Sequence, residues 1–406
     1  MKAFALIATA ILTACPALAQ SGALITRQFI IRIESVQVLQ GVLEDHNLVV
    51  VGSYPPRGLY LVAPHPLLPP PEDDQLASSL VLDRRLILSE QNRENCAEEG
   101  NTQSFFVGIA PLDFSSQPTF DHIGLNIAPA TWTGQGITIA ILDTGVAPHF
   151  EYWSSLRTDG ASFVDNNSPT SDFGSGLDTN RNGQIDELVG HGTFMAGLIM
   201  HVAPGCQILP VRVLDSDGVG SSFAVAAGIY YAVDHGAKVI NLSLSSPTDT
   251  LTVREAVHEA LAAGISIVAS VGNNNSIARQ YPAANAGVIA VTATDVSDRR
   301  LATSDFGPYI KFCAPGENVV STYPGNLYAT ASGTSVSTAL VAGAITRMHS
   351  RFPTAPTAFA ALAVSNSSVR IDTLNRPFMG MLGKSLRVGT AVVRIDSSNA
   401  AVLKGP

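Results

Sequence analysis

Short apolar runs alternate with helical-period segments over most of the chain, from about residue 119 onward. Buried strands are predicted where apolar β-formers run almost without a break, at 137–142, 208–214, 239–244, 265–271, 288–293 and 310–314. Helices are predicted between them at 194–201, 222–235 and 252–263, and the last two stop at Gly236 and Gly264 as helices with glycine C-caps do. This alternation predicts an α/β fold with a mainly parallel sheet and helices on both faces.

The first hundred residues follow a different pattern. Strands are predicted at 27–33, 48–51, 59–63 and 86–89, and helices at 36–43 and 73–82. These elements make a small α+β module. The polar stretch 92–104 behind it predicts an exposed connector that is open to proteolysis. We therefore expect a module with its connector at 20–105 and the larger domain at 106–400.

The N-terminus resembles an export signal at residues 1–19. Lys2 precedes an apolar segment at 3–13, and Ala17-Leu18-Ala19 offers a small-x-small cleavage pattern. The segment Leu12-Thr13-Ala14-Cys15 supports an alternative, a lipoprotein anchored at Cys15, although Pro16 is a poor residue to follow a lipidated cysteine. The sequence contains no later stop-transfer segment, so we expect a protein without a transmembrane helix, secreted to the cell exterior or the periplasm.

Composition and charge narrow the class of protein. Charged residues make up 14% of the chain, the formal net charge is −9 and no basic cluster occurs, which argues against nucleic acid as a partner. The cysteines show no zinc-site spacing. Removal of the signal leaves Cys96, Cys206 and Cys313. If Cys96 lies in a removed segment, Cys206 and Cys313 either pair in an oxidising compartment or remain buried thiols, and the sequence leaves both alternatives open.

Polar residues with complementary chemistry stand at the ends of the predicted strands and the starts of helices. Asp143 ends the strand 137–142, His191 begins a helix, and Ser335 follows the Gly333-Thr334 turn at the start of another. A serine becomes a strong nucleophile when a histidine removes its proton, and a carboxylate orients that histidine. Asn273, just after the strand 265–271, can aim an amide at a developing oxyanion.

Three motifs in the order Asp143, His191, Ser335 resemble those of subtilisin-like serine peptidases, the subtilase family. They are Asp143-Thr144-Gly145-Val146, His191-Gly192-Thr193 with Ala196-Gly197, and Gly333-Thr334-Ser335 with Val341-Ala342-Gly343. The resemblance spans about residues 119 to 395. It implies a three-layer α/β/α sandwich with a mainly parallel sheet, preceded by a small α+β propeptide module.

The same resemblance implies a function. The protein would be a secreted, monomeric serine endopeptidase that is made as a zymogen, needs no catalytic cofactor and acts on polypeptides. Asp143, His191 and Ser335 would form the triad, and Asn273 with the Ser335 N–H would form the oxyanion hole. The alternatives are a catalytically silent binding protein with the same fold, and an esterase or peptide ligase that uses the same acyl-enzyme.

Further segments resemble the family's substrate groove. The edge segment 217–221, with Gly218 and Gly220, and the strand 240–245 would hold the substrate between them as an added strand. We expect substrate contacts from Gly218, Gly220, Ser243, Leu244, Ser245, Gly272 and Gln280. The family carries a cis bond at the position of Tyr281-Pro282. The module at 21–105 resembles the family's inhibitory propeptide in size and element order, which makes it a partner of its own domain.

The chain also departs from the family. Ala339 and Leu340 replace a proline and a histidine, Gln280 replaces a small residue at the base of the specificity pocket, and Ser245 replaces a glycine on its wall. We therefore expect a narrower or more polar pocket. The short loop 200–205 leaves no room for the family's main calcium loop.

A different calcium site is suggested by the spacing of Asp178, Asn180, Asn182, Gly183 and Asp186. The spacing follows the first part of an EF-hand loop. Val189 stands where the closing glutamate would be, however. The alternative is an ordinary surface loop rich in asparagine and glycine.

Overall fold

The computed structural model describes residues 22–67, 72–97, 106–107, 114–164, 170–353 and 357–388. The expected signal peptide at 1–19 and the alternative lipid anchor at Cys15 lie outside the described residues, as does most of the expected connector. In the part that is described, no helix is both long and apolar enough to cross a membrane.

The strands are β1 Leu24–Ile33, β2 Leu48–Tyr54, β3 Leu59–Pro64, β4 Leu86–Cys96, β5 Phe106–Val107, β6 Thr138–Asp143, β7 Ala161–Ser162, β8 Gln207–Arg212, β9 Val219–Ser221, β10 Val239–Leu242, β11 Ser266–Ser270, β12 Ile289–Thr294, β13 Phe312–Pro315, β14 Val319–Tyr323, β15 Leu327–Ala331, β16 Val369–Arg370 and β17 Lys384–Ser385. The α-helices are α1 Leu39–Asp45, α2 Asp73–Val81, α3 Pro118–His122, α4 His191–Val202, α5 Ser222–Asp234, α6 Leu251–Ala262, α7 Thr334–Arg351 and α8 Thr357–Ser367.

The larger domain is built on a nine-stranded sheet in the order β16-β17-β13-β12-β11-β10-β6-β8-β7. Its strand pairs are parallel except β16 with β17. Successive residues of β6 belong to opposite cores: Ile139 and Ile141 pack with α4 and α7, whereas Ala140 and Leu142 pack with α5 and α6. Both faces of the sheet are therefore covered, which explains the unbroken apolar runs and confirms the predicted α/β/α sandwich.

The small module is an antiparallel sheet of β1 to β4 with α1 and α2 packed on it. Its own core includes Phe29, Ile31, Val42, Leu76 and Leu80. The sheet does not end with the module, because β4 pairs with β9 of the larger domain. The module and the domain therefore share one continuous sheet.

The polar stretch that begins at residue 92 differs from its prediction. Instead of an exposed connector, residues up to Cys96 continue β4, and the Asn92 and Asn95 side chains are buried. The Asn92 Oδ1 atom accepts from the Phe223 N–H at 3.2 Å, and the Asn95 Nδ2 group donates to the Ser222 hydroxyl at 3.0 Å. The start of α5 therefore supplies polar partners that a hydrophobic pattern cannot reveal.

Candidate active site

Asp143 and His191 form a buried hydrogen-bonded pair at the carboxyl edge of the sheet. Asp143 is the last residue of β6, and its Oδ1 atom lies 2.7 Å from His191 Nδ1. The two side chains are at most 1% exposed. Because a carboxylate can only accept, Nδ1 carries the proton and donates it, which leaves Nε2 as the acceptor.

The local backbone places His191 at the first position of α4. The residue before it, Gly190, has a φ of 93°, and a Cβ atom there would come within 2.3 Å of the Tyr323 ring. Glycine is required at this turn for both reasons. The Gly192 N–H donates to the Thr144 hydroxyl at 3.0 Å, so the start of the helix is bound to the turn after β6.

A buried carboxylate that the sequence analysis missed supports this helix start. Asp172 accepts hydrogen bonds from the Gly190 N–H at 2.9 Å and from the Thr193 N–H and hydroxyl at 3.1 and 2.8 Å. Burial raises the pKa of Asp172 to about 6, in spite of these hydrogen bonds and with a further upward contribution from the Asp143 charge. The polar run around residue 172 carries no motif, so no signal in the sequence marks it.

Ser335 is the second residue of α7 and is 1% exposed. The preceding turn needs glycine, because Gly333 has a φ of 150°. The Ser335 side chain lies within 3.4 Å of the Ser243 carbonyl oxygen, and α7 packs against α4 in the same core. Ser335 thus sits in the first turn of a helix, where backbone N–H groups favour negative charge.

Asn273 is tied to the same helix. It follows β11, and its Oδ1 atom accepts from the Thr334 N–H at 3.0 Å. Because the oxygen of the amide serves as the acceptor, the Nδ2 group is the half that can donate to a third group. Asn273 is 6% exposed.

The chain's own residues occupy the expected substrate groove. Glu94, Asn95 and Cys96 pair antiparallel with β9, and the Ala97 N–H donates to the Gly218 carbonyl at 3.0 Å. On the other side, Cys96 and Ser245 exchange two backbone hydrogen bonds, of 3.2 and 2.9 Å. Residues 94–97 therefore form a strand between the two edges, which are the segments predicted to hold a substrate.

The predicted pocket residues lie next to this strand. Backbone hydrogen bonds of 2.8 Å join Ser246 to Tyr281, which places Gln280 beside the segment that contains Ser245. Gln280 is 6% exposed, and its Oε1 atom has no hydrogen-bond partner among the described residues. The Tyr281-Pro282 bond is cis, as expected.

The other residues predicted to contact a substrate differ in what they contact within the protein. Leu244 is buried in the core that contains α5, so its side chain packs inward. The Ser243 hydroxyl accepts from the Asn241 side chain at 3.0 Å. Gly220 faces Asn95 across the strand pair, and the Gly272 carbonyl accepts from the Asp305 N–H at 2.9 Å.

The carboxylates of the EF-hand-like loop do not converge on one point. Asp178 accepts from the Asn182 and Gly183 N–H groups at 3.1 and 2.9 Å. Asp186, with a φ of 58°, turns to the Ser175 and Gly176 N–H groups. The described residues include no group of three acidic, histidine or cysteine side chains arranged for a metal ion.

The asparagines of this loop also have partners. Asn180 and Asn182 both donate to the Glu187 carboxylate. The loop therefore closes on its own hydrogen bonds, and the side chains present do not fit the EF-hand arrangement that the spacing suggested.

Cys96, Cys206 and Cys313, the cysteines in the described residues, are buried, and Cys206 and Cys313 are thiols that do not pair with each other. Cys206 Sγ lies 3.6 Å from Met200 Sδ, and burial raises the pKa of the Cys206 thiol to about 12. Of the two alternatives from the sequence, the structure contains the buried thiols.

Comparison with known proteins gives consistent matches. Residues 134–378 match the model of the subtilase family. Subtilisin BL and Subtilisin Savinase from Lederbergia lenta are each 37% identical over 230 residues, which cover 54% of this chain and 79% of theirs. Thermitase from Thermoactinomyces vulgaris is 41% identical over 219 residues, 53% of this chain and 77% of that protein.

Solved structures give the same fold. Fervidolysin from Fervidobacterium pennivorans, a keratinolytic enzyme related to subtilisin, has a TM-score of 0.71 at 20% identity, over 92% of this chain and 62% of that one. A cold adapted subtilisin-like serine proteinase has a TM-score of 0.56 at 27% identity, over 64% of this chain and 91% of that one.

Proposed function

Because the chain belongs to the subtilase family and is a serine-type endopeptidase, we propose that it is secreted as a zymogen and cleaves polypeptides with Ser335. The observation that carries the assignment of roles is the buried 2.7 Å contact between Asp143 and His191 at the start of α4. Ser335 supplies the nucleophile from the start of the adjacent helix.

The reaction follows from these positions. His191 Nε2 takes the Ser335 proton as the hydroxyl oxygen attacks the scissile carbonyl, and Asp143 stabilises the imidazolium that forms. The Asn273 amide and the Ser335 N–H bind the oxyanion. When the tetrahedral intermediate collapses, His191 gives the proton to the leaving amine. A water molecule, deprotonated by His191, then hydrolyses the acyl-enzyme and frees Ser335.

The zymogen proposal rests on residues 94–97. They add a strand to the groove by main-chain hydrogen bonds, as a peptide substrate would, and so keep other peptides out. We place the activating cleavage beyond Ala97 and before residue 118, after which the module at 20–97 is free to dissociate. Removal of the signal at 1–19 precedes this step, and the mature protein acts as a monomer.

One experiment tests the enzyme and zymogen proposals together. The full chain and its Ser335→Ala variant are expressed for export and compared by mass and by labelling with a serine-reactive phosphonate. Wild type is expected to lose the module and to take the label, and Ser335→Ala to do neither. The control is Ser350→Ala, which changes a serine near the other end of α7 and is expected to behave as wild type. A folded wild type that neither processes nor labels would contradict the proposal.

The departures in α7 do not weaken this proposal. Ala339 and Leu340 are fully buried in the core that contains α4, and the first turn with Ser335 is a regular helix start. These residues had motivated the alternative of a catalytically silent protein, which the peptidase relatives do not support.

We also propose that Gln280 and Ser245 make the specificity pocket narrower or more polar than is usual in the family. The backbone pairing of Ser245 with Cys96 and the burial of both side chains, Ser245 and Gln280, support this. A peptide library should then show poor cleavage after large aromatic residues. Best cleavage after phenylalanine or tyrosine would contradict it.

Calcium binding by the loop at 178–186 stays a prediction from the sequence spacing. A melting temperature that falls with a chelator and returns with calcium would support it, and an unchanged melting temperature would contradict it.

A further inference from the structure

The carboxylate of Asp305 lies beneath the loop that carries Asn273. Asp305 is fully buried in the segment between β12 and β13. Its Oδ1 atom accepts from the Asn274 N–H at 2.9 Å and from the Ser276 N–H at 2.7 Å. One carboxylate oxygen thus binds the residue immediately after Asn273 and the residue two positions further on.

Backbone hydrogen bonds join the same two segments. The Asp305 N–H donates to the Gly272 carbonyl at 2.9 Å, so Asn273 lies between two residues that Asp305 binds. The Asn275 N–H donates to the Thr303 carbonyl at 2.6 Å, and the Phe306 N–H to the Ser276 carbonyl at 3.0 Å. On its other side, Asn273 accepts from the first turn of α7.

Burying the charged carboxylate of Asp305 requires desolvation energy that a neutral acceptor would not require. A buried carboxylate is unfavourable unless hydrogen bonds and opposite charge compensate it. The opposite charge comes from Arg300, which donates to the Ser304 carbonyl and to Asn275 Oδ1. Burial lowers the pKa of Arg300, and the negative charge of Asp305 partly offsets that lowering. Charge-assisted hydrogen bonds are shorter and stronger than neutral ones, which suits a loop that must hold one geometry.

We propose that Asp305 is the positioning residue of the oxyanion hole, holding the 272–276 loop so that the Asn273 amide meets the developing negative charge. The inference rests on the proposed role of Asn273. An oxyanion donor must already be in place when the charge forms, and removing one such donor typically costs a hundredfold to a thousandfold in rate.

The test measures kcat and KM for Asp305→Ala and Asp305→Asn, each in wild type and in an Asn273→Ala background. Concentrations are fixed by titrating active sites with the phosphonate. We expect Asp305→Ala to lower kcat by about 10-fold to 100-fold with little change in KM, and Asp305→Asn, which keeps an acceptor oxygen, to lose less. In the Asn273→Ala background, neither change should lower kcat further.

The matched control is Asp295→Ala. Asp295 Oδ1 also accepts two backbone N–H groups, from Ser297 at 2.8 Å and Arg299 at 2.9 Å, but on a turn that does not carry Asn273. Its removal should leave kcat unchanged. Equal losses from the two alanine variants would mean that Asp305 only stabilises the fold.

Two other results would overturn the proposal. If Asp305 variants lower kcat equally with and without Asn273, Asp305 acts by another route while the oxyanion role of Asn273 survives. If Asn273→Ala itself leaves kcat unchanged, the proposed oxyanion hole fails, and the role of Asp305 with it. If Asp305→Ala does not fold, the kcat of Asp305→Asn is compared in the same way, with and without Asn273→Ala.

Discussion

The catalytic cleft and the joint between module and domain use charge in opposite ways. In the cleft, Asp143, Asp172 and Asp305 are at most 4% exposed, and each accepts from backbone N–H groups of its own domain. At the joint, Arg32 and Arg57 of the module pair with acidic residues of α5 and α6, and the side chains are 18% to 34% exposed. The carboxylates of the cleft are shielded from water, whereas the arginine pairs of the joint are accessible to it.

The joint has two parts besides the pairing of β4 with β9. Arg32 lies 2.8 Å from Glu259 and 3.3 Å from Glu255, while Arg57 pairs with Asp234 and Glu259, and both guanidinium groups lie over the Tyr230 ring. The other part is a helix cap. The Glu90 carboxylate accepts from the first two N–H groups of α6, at 3.0 and 2.7 Å.

The contacts that hold the module on the domain are separate from one another. After cleavage, retention should depend on arginine pairs, a cap and a strand, each of which a single substitution weakens. The dissociation constant of the cleaved module can be measured by gel filtration at falling protein concentration, once a small sulfonyl fluoride has inactivated the enzyme.

The largest effect is expected from Arg32→Ala with Arg57→Ala. Each arginine makes two ion pairs and a contact with an aromatic ring, and truncation of an arginine that is an interface hot spot costs about 2 kcal/mol. We expect the dissociation constant to rise about 30-fold to 100-fold for the pair, less than the sum because the two share Glu259.

Arg84→Ala is the control for that prediction, since Arg84 is an exposed arginine of the same module. It should bind as wild type. If the arginine pair changes the dissociation constant no more than Arg84→Ala does, the joint does not depend on these charges.

Glu90→Ala should have a smaller effect. It removes the acceptor for the first turn of α6, and loss of a helix N-cap costs about 1 kcal/mol, or about fivefold in the dissociation constant. The control is Glu34→Ala, which removes an exposed glutamate of the module. If Glu90→Ala raises the dissociation constant no more than Glu34→Ala does, the helix cap does not contribute to the joint.

The sequence predicted the parts of this enzyme that local patterns determine. The strand–helix alternation and the three motifs place Asp143, His191 and Ser335 at strand ends and helix starts. Asp172 and Asp305 were missed because their partners lie 18 to 31 residues away, where only the folded loops bring them together. The direction of the Asp186 carboxylate could not be predicted, because spacing does not reveal the positive φ that turns it towards the Ser175 and Gly176 N–H groups.

The smallest effect is expected at Glu94 of β4. At this residue burial acts on a carboxylate, as it does in the cleft, and not on an arginine pair. Burial raises the pKa of the Glu94 carboxyl, and the nearby Arg181 charge opposes that rise. A raised pKa in the docked module means that docking is favoured at low pH and weakens as pH rises through that pKa.

Wild type should therefore release the module more readily at about pH 7 than at about pH 5, by about twofold to fivefold. Glu94→Gln, which is neutral, should bind equally at both pH values. Asp234 does not interfere, because hydrogen bonds from Arg57 and Tyr54 outweigh burial and hold its pKa below the ordinary value. An equal pH response in wild type and Glu94→Gln would show that the charge of this strand residue does not oppose docking.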